Sequence, residues 1–140
     1  MNWKRFINAV IVGFVALFVM DLIIHVLILG EIYKPLTGTL LRSEADMNSK
    51  MWAYYIGAFF FTLLFVWIYT YGVKGKGVIE GFRYGIYIGL FYIVVGSFMC
   101  WPIFPIPGAL LWLWILFGMI EMIILGLIVG AIYKPAKVEQ

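Results

Sequence analysis

Cysteine and histidine are almost missing from this chain: Cys100 and His25 each stand alone among 140 residues. One thiol allows no intrachain disulfide and no cysteine-built metal site. One imidazole excludes a bis-histidine haem. Charge is scarce as well, at 12 % Asp, Glu, Lys and Arg, against about 25 % in an ordinary soluble domain. Hydrophobic residues make up 65 % of the chain, more than a small soluble fold can bury, because small domains keep much of their surface exposed. Lipid must therefore solvate much of the molecule. The net charge of +3 comes from ten Lys and Arg scattered over loops, and without a basic stripe nucleic acid is not an expected partner. Phosphate loops, dinucleotide fingerprints and nucleophiles with a base are also missing. No cofactor and no catalytic residue is therefore indicated.

What is present is a set of long apolar runs. Residues 6–29 form the first, after Lys4 and Arg5. A bilayer core about 30 Å thick needs ~20 helical residues, so this run spans. It exceeds the ~7–15 apolar residues of a signal peptide and is read as a retained helix. The second run, residues 51–71, contains no charge, and the fourth contains only Glu121. The spans fall at about residues 6–30, 51–72, 82–100 and 109–133, within one transmembrane domain over residues 1–140. Helices are expected because lipid offers the backbone no hydrogen-bond partner.

Positive charge sets direction. With the N-terminus inside, Lys4, Arg5, Lys74, Lys76, Arg83, Lys134 and Lys137 are cytoplasmic, and Lys34, Arg42 and Lys50 lie outside. The expected fold is all-α: an integral-membrane, antiparallel four-helix bundle with both termini cytoplasmic, in a bacterial inner membrane. Aromatic residues suit the interfaces, among them Tyr33, Tyr54 and Trp112 outside and Tyr69, Tyr84 and Tyr133 inside. Residues 36–50 read as a short amphipathic helix on the outer surface.

The segments DLIIHVLILGEIYKP (21–35) and EMIILGLIVGAIYKP (121–135) agree at nine of fifteen positions. The two helices run in opposite directions, so the IYKP motifs fall on opposite membrane faces. Convergent anchoring is preferred to inverted pseudo-symmetry: Tyr sits at the interface, Lys snorkels and Pro stops the helix.

Gly81, Gly85 and Gly89 recur at four-residue spacing on one face of the third helix, and Gly96 nearly continues the stripe. Gly126 and Gly130 form a shorter groove on the fourth. Small residues let helices approach closely in lipid, so a packing seam is expected. Glu80 and Arg83, three apart, could pair or bind lipid headgroups, and an interfacial pair is preferred.

Three ionisable residues lie inside spans: Asp21, His25 and Glu121. Insertion of one costs about 2.5–3.5 kcal/mol, so such residues are rare unless partnered or useful. Asp21 and His25 share a helical face. Helical rise puts Asp21 about 12 Å and Glu121 about 18 Å below the outer ends of their spans, so the three can share one polar pocket. Two carboxylates close together in low dielectric cannot both stay ionised, and an imidazole could relay the proton. This chemistry suits a small lipophilic or cationic ligand, with proton coupling. A metal is not expected, since the spacing matches no recognised ligand set. The alternative is an accessory or scaffold subunit, docked through the glycine face or the first loop. Expected partners are the lipid bilayer and a homo-oligomer or larger membrane complex.

The stretches GEIYKPL after the first helix, EGFRYGIYIGL opening the third and GLIVGAIY in the last resemble small bacterial four-helix membrane proteins of unknown function, the DUF1761-like group. The resemblance implies the four-helix fold and brings no activity or site residue with it.

Overall fold

The structure is a computed structural model and describes residues 1–134. Pro135 and Lys137, named above, lie outside the described residues. Four helices carry the fold: Trp3–Ile28, Glu44–Gly72, Val78–Cys100 and Gly108–Ile132. At 26, 29, 23 and 25 residues, each is long and apolar enough to cross a membrane. Four such helices suggest a multi-pass membrane protein. Side chains such as Leu27 and Phe91 face outward, 72 % and 75 % exposed. Lipid accepts such a surface and water does not.

Cross-contacts show successive helices running antiparallel. Phe14 meets Phe59 and Phe18 meets Tyr55 between the first and second helices. Phe61 meets Tyr92 and Phe65 meets Tyr84 between the second and third. Gly118 packs on Ile93, and Gly85 on the Met122 backbone, between the third and fourth. Gly13 meets Leu125 between the first and fourth, beside Thr62 of the second. These four pairings close a ring of helices. In the core, Tyr84 donates its hydroxyl proton to the Phe65 carbonyl at 2.7 Å.

The third and fourth helices make the tightest seam. A Cβ at Gly81 would fall on the Gly126 carbonyl, and one at Gly130 would lie 2.7 Å from the Gly77 oxygen. Gly89 packs against Met119. Backbone approach of this kind maximises dispersion, the main attraction left between helices in lipid. The stripe does not extend to Gly96, where a Cβ would meet nothing within 4 Å. The cause is the π-helical stretch Leu90–Val94, which adds residues to a turn and rotates later positions off the seam.

Two boundaries differ from the sequence reading. The second helix begins at Glu44, so residues 44–50 extend it by two turns and are no separate surface helix. Ser43 Oγ accepts from Asp46 N, and Glu44 and Asp46 lie in the first turn. Acids there favour the helix dipole. Asp46 also binds Arg42 and Lys50. The third helix starts at Val78, after Gly77 at φ 65, a conformation natural to glycine.

Candidate functional site

The first helix changes form where its ionisable residues sit. Regular α-helix ends at Asp21, and Leu22–Ile28 is π-helical. Leu29 N–H donates to the Ile24 carbonyl at 2.8 Å, the i to i+5 bond of the wider turn. Such insertions are frequent at functional sites. A short helical turn, Gly30–Tyr33, follows.

Asp21, His25 and Glu121 come together. Each offers one ligand atom, and these atoms lie within 4.8 Å of one another. The polar partners differ from the direct Asp21–His25 pairing that i,i+4 spacing suggests. His25 Nε2 is 3.9 Å from Asp21 Oδ1, too long for a hydrogen bond. Asp21 Oδ2 instead accepts from the Tyr54 hydroxyl at 2.5 Å. His25 Nδ1 is 2.7 Å from the Tyr33 hydroxyl, and the two rings are 13° from parallel. Trp114 Nε1 donates to the same Tyr33 oxygen at 2.7 Å.

Indole N–H can only donate, so Trp114 takes one lone pair of the Tyr33 oxygen. The hydroxyl keeps a proton to donate and a second lone pair to accept, and so serves either tautomer of His25. Burial pushes the Tyr33 phenol above its ordinary value, while the Trp114 hydrogen bond acts the other way. Tyr33 thus stays a neutral donor at physiological pH.

Glu121 is different. It is 6 % exposed, and its Oε1 is buried with no hydrogen-bond partner among the described residues. A buried polar atom left unsatisfied costs about 1–3 kcal/mol. The carboxyl lines a cavity of ≈ 290 Å³ with Asp21, Tyr54, Phe61 and Tyr92. A second cavity, ≈ 320 Å³, lies on the other side of Asp21 and Tyr54, with His25 and Phe18 in its wall. The π-helical stretch of the third helix borders the first cavity through Tyr92 and Ile93, and Asp21, the residue just before the other stretch, lines it as well. Carboxyl oxygens beside aromatic rings make a surface that favours a cation.

The remaining predicted residues fall elsewhere. Gly81, Gly85, Gly89, Gly126 and Gly130 lie in the seam between the third and fourth helices. Glu80 does not pair with Arg83. Its oxygens accept from Lys74 N at 2.6 Å and Lys76 N at 3.0 Å, because a carboxylate in the first helical turn reaches back to the preceding backbone. Sequence reasoning missed Tyr54, Tyr33 and Trp114 as partners. Trp114 carried a signal, since it precedes Glu121 by seven residues and shares its helical face. Tyr33 and Tyr54 resembled interface anchors. In a comparison with known proteins, no family model, no curated protein and no solved structure matches this chain.

Proposed function

We propose that this protein binds a small lipophilic cation between its helices, at Asp21, His25 and Glu121. The carrying observation is the buried, unpartnered Glu121 oxygen on a cavity walled by Tyr54, Phe61 and Tyr92. Its volume, ≈ 290 Å³, is at the small end of ligand pockets, which start at about 300 Å³. An ammonium seated there would gain two carboxyl groups and aromatic faces, in a setting where charge interactions are strong. Two carboxyls this close in low dielectric disfavour double ionisation, so a cation entering between them displaces a proton to the medium. Binding is then proton-coupled. We place both termini in the cytoplasm of a bacterial cell, in the inner membrane, on the seven-to-three division of cations between the two ends.

The accessory-subunit reading keeps the first loop as its docking element, since the seam glycines are buried within the chain. Calorimetric titration of the purified chain in detergent separates the two. The probes are benzyltrimethylammonium and its uncharged carbon isostere, neopentylbenzene. The cation should bind and the isostere should not, with Glu121→Gln weakening the cation at least about tenfold, the loss of a charge-assisted contact. Equal binding of both probes, or an unaffected Glu121→Gln variant, would remove the cation site and favour the subunit.

A further inference from the structure

A further cavity lies away from the acid cluster. It measures ≈ 590 Å³ and opens at the far end, where the second and third helices are joined, lined by Lys74, Lys76, Glu80 and Arg83 among tyrosines and isoleucines. We propose that this cleft binds the phosphate of an anionic phospholipid.

The charge pattern is the first reason. Glu80 is the one acid in the lining, and both its oxygens are held by the backbone N–H groups of Lys74 and Lys76. Glu80 is thereby diverted from Arg83, three residues on. Among the described residues, Lys74, Lys76 and Arg83 have no acidic partner within 4.0 Å. Three cations thus ring a cleft whose only carboxylate is committed to the loop. A phosphodiester suits them: an arginine fork matches its oxygens, and lysines add point charges.

The floor is the second reason. Tyr69 lines the cleft and is 2 % exposed, and its hydroxyl is buried with no partner among the described residues. The walls decide between a lipid and a free anion. Ile68, Ile79 and Tyr87 line the same cleft and are exposed on the bundle's outer surface. A free phosphate would leave these apolar groups uncovered, whereas a phospholipid lays its acyl chain along them. The position agrees, since helix ends carrying snorkelling cations sit at headgroup level.

Native mass spectrometry of the full chain, released from detergent holding equimolar phosphatidylglycerol and phosphatidylcholine, tests this. The wild type should retain one phosphatidylglycerol in preference to phosphatidylcholine. Lys74→Gln/Lys76→Gln/Arg83→Gln should abolish that preference, and Arg83→Gln alone should lower it roughly tenfold, as loss of one charge-assisted contact implies. Lys34→Gln/Arg42→Gln, which removes two cations at the opposite end, should leave it intact. Three results would overturn the proposal: unchanged preference in the triple variant, equal loss in the opposite-end control, or displacement of the lipid by equimolar inorganic phosphate. If the triple variant is not monodisperse, the Arg83→Gln comparison decides by the same criterion.

Discussion

The Tyr33 hydroxyl stands 2.7 Å from His25 Nδ1 and 2.7 Å from Trp114 Nε1, tying the first helix to the fourth through a residue that seemed destined for the membrane interface. Its counterpart in the repeated motif, Tyr133, does something else. It is 3 % exposed and packs edge-on against Tyr69. The two IYKP motifs are alike in letters and different in role: one orients a histidine, the other closes the core at the opposite end.

Tyr33→Phe should therefore destabilise the fold where Tyr133→Phe does not. Removing the Tyr33 hydroxyl strands Trp114 N–H and His25 Nδ1, a loss of about 1–3 kcal/mol. Circular dichroism during denaturation of a detergent-solubilised sample by added SDS would show it. Equal midpoints for the two variants would mean the hydrogen-bonded chain contributes nothing.

Glu121→Met should stabilise the ligand-free protein. The substitution keeps volume and removes a buried oxygen that lacks a partner, worth about 1–3 kcal/mol. The same change should eliminate cation binding. A drop in stability would show that Glu121 holds the bundle together and is not kept for a ligand.

Two glycines on the third and fourth helices should respond in opposite ways. Gly126→Ala puts a methyl on the Gly81 carbonyl and against the Gly85 backbone, and backbone cannot yield as a side-chain tip does. A loss of about 1–3 kcal/mol is expected from overpacking. Gly96→Ala adds its methyl to open space and should gain about 0.5–1 kcal/mol from lower unfolded-chain entropy. The same SDS titration reads both, and a tolerated Gly126→Ala would contradict the tight seam.

Glu80→Ala should loosen the loop between the second and third helices. The amides of Lys74 and Lys76 lose their acceptors, so their hydrogen exchange should quicken while the Gly85 amide, deep in the third helix, keeps its protection. Unchanged exchange at Lys74 and Lys76 would show that the carboxylate does not hold the loop.

Much of this was legible because lipid simplifies the code. Apolar runs of sufficient length become helices, and glycines four apart become a seam, as Gly81 and Gly85 show. Depths below the outer ends that agree to about one helical turn were enough to place Asp21 and Glu121 within reach of each other. The finer chemistry was hidden by two local effects. The π-helical stretches Leu22–Ile28 and Leu90–Val94 break the 3.6-residue phase, which moves Gly96 off its stripe and opens the turn that carries His25. Tyrosine is ambiguous too: an amphipathic ring near a helix end suits either a headgroup or a buried partner. Tyr33 and Tyr54 took the second option, and only three-dimensional packing distinguishes it. Glu80 was misassigned for a related reason, since spacing showed Arg83 within reach and not the nearer backbone donors.

The most direct test of the cation site is infrared difference spectroscopy of the purified protein in detergent, recorded before and after benzyltrimethylammonium is added. Glu121→Gln and Asp21→Asn variants assign the bands. The account predicts loss of protonated-carboxyl intensity on binding, abolished in Glu121→Gln, with protons released to the medium in step. A flat carboxyl region while the cation is bound would contradict it, and would place the ligand away from Asp21 and Glu121.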